Sequence, residues 1–225
     1  MDKELICNKI YRLVYFCIFV PDHLIMSKAE KTKQFIIEKT ASLFNTKGYL
    51  STTLSDIGQA TQLTKGSIYG NFANKDELAI EVYKYNAGTL SKSVSRSFGN
   101  NFPTTTDKLL AFVDFYRKNW RSVFSNGGCP LMNAATESDD SFPALKTEVN
   151  KSFEDWIRKI SSVITEGQEN GDLKKKANAG EYASLFIMLI EGGILLSKTT
   201  GDDKFLNQAL DRITRMIEHE LTIPS

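Results

Sequence analysis

The chain has 225 residues and a mass of 25.3 kDa; 41% apolar and 24% charged residues exclude the collagen-like, disulfide-scaffold and highly charged disordered classes. Twenty-eight basic and 27 acidic side chains leave a formal charge of +1, so no global field announces a polyanionic partner. Cys7, Cys17 and Cys129 are an odd, widely spaced set without a CxxC pair, which points to a reducing cytoplasm rather than to a disulfide framework or a zinc site.

Residues 13–20 form the most hydrophobic run, but eight residues are too few for a spanning helix, which needs roughly 20. Lys3, Lys9 and Arg12 precede this run as in a secretory signal, yet Pro21-Asp22-His23 stands where small residues would form a cleavage site. A buried extra helix is the alternative. The favoured expectation is a native start at Met26, with residues 1–25 a non-native extension.

From Lys28 onward the pattern is helical. Ile36, Thr40 and Phe44, flanked by Ile37 and Ala41, make one apolar stripe that Gly48 should end. Thr53-Leu54-Ser55-Asp56 has the form of a capping box opening a helix from Leu54 to about Thr61. Thr64 can cap a third helix, and Asn74, with Asp76 and Glu77 behind it, a fourth that runs to about Phe98. Gly99 to Pro103 is a break. Further helices are expected from Thr106 to about Phe124, from Pro130 after Gly127-Gly128, and from Phe142 to about Asn170. The last two should span Ala179–Lys198 and Asp203–Leu221. No strand alternation appears, so the predicted fold is all-α with about nine helices.

Two short capped helices joined by a tight turn after a longer one make a helix-turn-helix unit, whose second helix enters the major groove of DNA. Leu54, Ile57, Leu63, Ile68 and Phe72 are spaced to form its small core. Thr64, Lys65, Ser67, Tyr69, Gly70 and Asn71 are left for the outward face, with chemistry suited to phosphates and base edges. Residues 26–80 carry seven basic and five acidic side chains, so affinity should rest on placed contacts and dimerisation more than on bulk charge.

The ungapped run from Thr52 to Leu78, with Leu63-Thr64-Lys65-Gly66-Ser67-Ile68-Tyr69-Gly70-Asn71-Phe72 at its centre, resembles the tetracycline-repressor (TetR) family signature. Ala41 to Tyr49 resembles the end of that family's first helix. The resemblance implies a three-helix DNA-binding domain over 26–74 and a helical regulatory and dimerisation domain over 75–225. It also implies DNA contacts by Thr53, Lys65, Ser67, Tyr69 and Lys75. A start at Met26 leaves 200 residues, a usual family length. One departure is Gln62, where the family's turn usually carries glycine; a left-handed glutamine there should cost roughly 1 kcal/mol or more.

Gly127 to Glu137 resembles a stretch of one subgroup of TetR regulatory domains. Phe112, Phe115, Tyr116, Trp120, Met132, Trp156, Phe186 and Met188 either line an apolar pocket between helices or are simply core. Asn133 and Glu137, one turn apart, could face that pocket or form a solvated face. Cys129, near the start of a helix, is either a thiol-based sensor or a packing residue. Lys174-Lys175-Lys176 reads as a solvated loop. Leu206, Leu210, Ile213, Ile217 and Leu221 form one stripe of the final helices; Tyr182, Leu185, Phe186, Leu189, Gly193 and Leu196 form another. Packing of two such helices from each subunit would make an intermolecular four-helix bundle, as the resemblance implies; burial within one chain is the alternative.

The expected function is therefore a cytoplasmic, homodimeric, ligand-responsive DNA-binding regulator. It should act as a repressor that leaves double-stranded operator DNA when a small, mostly apolar ligand binds. The competing classes are a helical enzyme using Cys129 or Glu137, for which no nucleophile–base pair or metal cluster is apparent, a thiol-based sensor using Cys129, and a membrane-associated adaptor held by residues 13–20.

Overall fold

The structure, a computed structural model, describes residues 26–99 and 102–223. Cys7, Cys17, His23 and the apolar run 13–20 lie outside the described residues. The described residues contain nine α-helices: α1 (Lys28–Lys47), α2 (Leu54–Thr61), α3 (Lys65–Tyr69), α4 (Lys75–Ser97), α5 (Thr105–Ser125), α6 (Pro130–Ser138), α7 (Pro143–Asn170), α8 (Ala179–Thr200) and α9 (Lys204–Arg215). The boundaries fall where the caps direct them. Ser27 and Thr53 close reciprocal capping boxes with Glu30 and Asp56 at the starts of α1 and α2. Asn74 accepts from the Glu77 amide at the start of α4, and Gly48, at φ +105°, ends α1 in a conformation that disfavours any side chain.

The small N-terminal core is built from Ile36, Ile37 and Phe44 of α1, Ile57 of α2, Ile68 of α3, then Phe72, Leu78 and Val82. Leu54 and Leu63 pack against it half-buried. Tyr49 bridges this core to α4: its ring lies 5.8 Å from Phe44 and 6.0 Å from Tyr83. α4 is thus shared, its first turns packing on α1 and its later turns on α7. In the larger bundle Phe98 stacks on Phe112 at 5.1 Å, and Tyr116 meets Phe112 and Phe115 edge-on.

The C-terminal hairpin departs from expectation in two ways. The last helix leaves the α pattern at Met216 and ends in a π-helical turn, Met216–Leu221. The wider i→i+5 turn keeps Ile217 and Leu221, four residues apart, closer to one face, and both are fully buried with Ile213. The second departure concerns the expected dimer stripe. Leu206, Leu210, Ile213 and Ile217 are at most 1% exposed within a single chain, because α9 packs its whole apolar face on its own neighbours. Gly193 serves the same internal contact: a Cβ there would stand 3.0 Å from the Leu206 Cα. These five residues are already occupied, which corrects their assignment to a seam between subunits.

Candidate nucleic-acid interface and effector chamber

α2 and α3 are joined by Gln62, which adopts φ 59° and ψ 25°, a left-handed conformation that the sequence departure put in question. Its Nε2 donates to the Gln59 carbonyl at 2.7 Å, a local bond that offsets part of the strain. Thr64 Oγ1 accepts from the Ser67 amide at 3.2 Å and starts α3. The helix has only five residues, so what it presents is set by these two bonds and by Ile68, which anchors it in the core.

The eight residues expected at DNA divide into two groups. Thr64, Lys65, Tyr69 and Gly70 are exposed, Tyr69 to 46%, and Ser67 is half-buried beside them. Lys65 and Tyr69, one turn apart, make no hydrogen bond or ion pair among the described residues. The other group, like the Thr64 hydroxyl, is engaged in building the motif. Asn71 Nδ2 donates to the Ser67 carbonyl at 2.8 Å. Lys75 Nζ donates to the Leu50 carbonyl at 2.7 Å and to that of Thr52 at 3.1 Å, holding the segment before α2 against the start of α4. Thr53 is half of a capping box, and its hydroxyl also donates to Asp56 Oδ2 at 2.7 Å. Lys47 pairs with the same carboxylate, and these bonds hold the Asp56 carboxyl well below the usual carboxylate range, Lys47 contributing most.

A chamber of about 470 Å³ lies between α4 and α7. Its apolar wall includes Ala87, Leu90, Val94 and Phe98 of α4, Leu131 of α6 and Trp156 of α7. Of the nine residues expected at a ligand, Trp156 alone lines it. Phe112, Tyr116 and Phe186 are fully buried core; Phe115, Trp120 and Met132 are half-buried against that core. Met188 points the other way and is 60% exposed. Sequence reasoning missed the α4 wall. Its spacing (Ala87, Leu90 and Val94, at intervals of three and four) was legible as an apolar stripe, but nothing distinguished a stripe facing a void from one facing a helix.

Asn133 and Glu137 join the two domains. Asn133 Nδ2 lies 3.1 Å from the Asn45 carbonyl, 3.0 Å from Asn45 Oδ1 and 2.8 Å from the Gly127 carbonyl. Asn45 in turn donates to the Asn126 and Gly128 carbonyls. Glu137 Oε2 accepts from the Leu50 amide at 3.0 Å. One short helix, α6, therefore touches the chamber through Leu131 and the DNA-binding unit through Asn133 and Glu137. Lys198 reaches the same loop from α8, donating to the Gly127 carbonyl.

Cys129 is buried, and its thiol donates to Glu191 Oε1 at 3.0 Å. Burial first, and then the neighbouring Glu191 carboxylate, hold that thiol well above its ordinary range. Both disfavour the reactive thiolate, which counts against the sensor alternative. Burial also pushes the Glu191 carboxyl up to about 7, against the hydrogen bond from Cys129. Lys175 and Lys176 are exposed as expected, whereas Lys174 is tied to the C-terminal turn through the His219 carbonyl at 2.8 Å.

An exposed recognition helix on a capped three-helix unit, continued by α4 into a helical domain with its own chamber, defines a helix-turn-helix regulator of the one-component type. Residues 36–82 match the model of the tetR family of bacterial regulatory proteins, and residues 105–213 match a tetracyclin repressor-like C-terminal domain. The transcriptional regulator YxaF of Bacillus subtilis is 30% identical over 182 residues, 79% of this chain and 90% of that protein. The transcriptional repressor DhaR of a Mycobacterium species is 25% identical over 178 residues, 79% of this chain and 88% of that one. The crystal structure of a TetR-family regulator from Cytophaga hutchinsonii superposes with a TM-score of 0.84 at 33% identity, covering 89% of this chain and all of the other. The chain belongs to the TetR family and is a DNA-binding transcriptional regulator.

Proposed function

We propose that the protein is a cytoplasmic homodimeric repressor whose operator affinity falls when a small molecule fills the chamber between α4 and α7. The observation that carries the reading is the double attachment of α6: Leu131 at the chamber wall, and Asn133 and Glu137 on α1 and the segment before α2. A ligand that displaces Leu131 biases the same helix that positions the DNA-binding unit, so occupancy and operator affinity are linked. The relative DhaR is a transcriptional repressor, and repression is carried over to this chain on that similarity.

Lys65 and Tyr69 are the proposed contacts to phosphates and base edges, with Thr64, Ser67 and Gly70 beside them. For the dimer, the free face of α8 supports the reading. Met188, Leu195 and Leu196 are each about half or more exposed, and Leu189 and Gly192 lie between them on the same side. α8 is long and apolar enough to cross a membrane by length and composition, but its other side is packed into the bundle by Phe186, Ile190 and Ile194. A second copy covering the open side would complete a four-helix bundle and bring two recognition helices to two half-sites. The test is operator titration with and without candidate ligands. Release at stoichiometric occupancy supports the reading, and operator affinity unaffected by a ligand bound in the chamber refutes it.

A further inference from the structure

The mouth of the chamber carries an unequal set of charges. Two acidic side chains line it: Asp155 is paired with Arg158 at 2.9 Å, and Glu148 lies 3.8 Å from Lys84, a third lining lysine that also holds Glu81 at 3.3 Å. Two lysines on the same face of α7, Lys151 and Lys159, have no carboxylate within 4.0 Å among the described residues. Lys159 instead donates across the mouth to Ser91 Oγ of α4 at 2.7 Å. The spacing 151, 155, 159 puts both ammonium groups along one edge of the opening. Below them the wall is apolar, with Phe98 and Trp156 offering ring surfaces.

We propose that the chamber takes a small amphipathic organic anion, a carboxylate on an apolar body, with the carboxylate held at the mouth by Lys151 and Lys159. The body lies against Leu90, Val94, Phe98 and Trp156. A cationic ligand would meet two uncompensated ammonium groups, with Asp155 already paired and Glu148 beside Lys84. A neutral ligand of the same shape would gain the apolar wall and leave the lysines to water. This assignment rests on the reading of the chamber as the effector site, and it names the chemistry that site selects.

The test compares three probes with one body: 4-phenylbutyrate, 4-phenylbutanol and 4-phenylbutylamine, titrated calorimetrically into the full-length chain. The carboxylate should bind more tightly than the alcohol, by about fivefold to tenfold at low salt, and the amine should be weakest. Lys151→Gln with Lys159→Gln should erase the preference of carboxylate over alcohol; both side chains are exposed, so the fold is not at stake. Gly88→Leu should abolish binding of all three. A Cβ there meets nothing within 4 Å, so the side chain enters the chamber without displacing backbone. An alcohol or amine that matches the carboxylate, no binding of any probe at millimolar concentration, or full carboxylate affinity in either variant overturns the proposal. Operator titration in parallel separates the two readings. Carboxylate binding that leaves operator affinity unchanged keeps the ligand class and removes the regulatory role. Operator release by a neutral or cationic compound at this chamber does the reverse.

Discussion

Glu191 sits in the middle of α8 with one oxygen bonded to Cys129 and the other, Oε2, buried without a partner. Its carboxyl titrates near 7 in the folded chain, against 4.5 for an ordinary glutamate. A rise of that size corresponds to about 3 kcal/mol at about 1.4 kcal/mol per pH unit. The folded state holds this proton more tightly than the unfolded state. Stability should therefore be fully retained below pH 4.5, fall as pH rises from about 4.5 to about 7, and stay lowered above that. Asp56, Glu77 and Glu220, whose carboxyls are held low, gain their contribution at lower pH and do not mask this window. Glu191→Gln keeps the shape and removes the titration. Urea unfolding of both proteins at pH 5, 6, 7 and 8 is the assay. The variant should nearly match the parent at pH 5 and exceed it by up to about 3 kcal/mol at pH 8. Parallel stability profiles for the two proteins would refute the burial argument.

Four further outcomes follow from the same structure. Lys65→Ala and Tyr69→Ala should each weaken operator binding by roughly 1–3 kcal/mol if a base is contacted; a phosphate contact by Lys65 would instead lower the salt slope by about one, and full affinity in the double variant would displace α3 as the recognition helix. Met188→Asp with Leu195→Asp should convert a dimer to monomers in sedimentation without lowering the melting temperature, whereas Leu210→Asp should unfold the chain by burying an unpaired charge. Gln62→Gly should raise stability by about 0.5–1 kcal/mol, since relief of about 1–2 kcal/mol of left-handed strain exceeds the entropy that glycine costs; a lower melting temperature would mean that the Gln62–Gln59 bond outweighs the strain. Asn133→Ala should leave ligand binding intact and reduce its effect on operator affinity, and unchanged coupling would place the transmission elsewhere.

The DNA-binding unit was legible almost to the residue because its determinants are local. Thr53, Thr64 and Asn74 each accept from the amide three residues further on, in their own helix, and such caps can be read from a short window of sequence. Function residues were less legible even there. Lys75 and Asn71 are polar residues on the motif, and the sequence alone could not tell that their side chains are spent on the carbonyls of Leu50, Thr52 and Ser67. Glu137 and Asn133 are the same case at longer range: their partners are 87 and 88 residues away, beyond any periodicity argument. The π-helical end of the last helix also followed from no sequence signal.

The proposed dimer face shows where periodicity stops being informative. Leu206, Leu210, Ile213 and Ile217 form the cleaner stripe, and a clean stripe states only that a face is covered, not by which chain. α8 carries apolar residues nearly all round, so one side can be filled by Phe186, Ile190 and Ile194 inside the bundle while Met188, Leu189, Leu195 and Leu196 remain on the other. A helix that is apolar on both sides has more surface to bury than its own chain covers. That excess, rather than the regularity of α9, is the feature that calls for a second copy. It also explains why Gly192 lies open while Gly193 is pressed to 3.0 Å from Leu206: adjacent glycines on one helix face two different contacts. Gly192→Leu should accordingly disrupt the dimer and spare the monomer fold, and Gly193→Leu should do the opposite by forcing α9 away. If sedimentation and thermal melts do not separate the two variants in this way, the free side of α8 is not the seam.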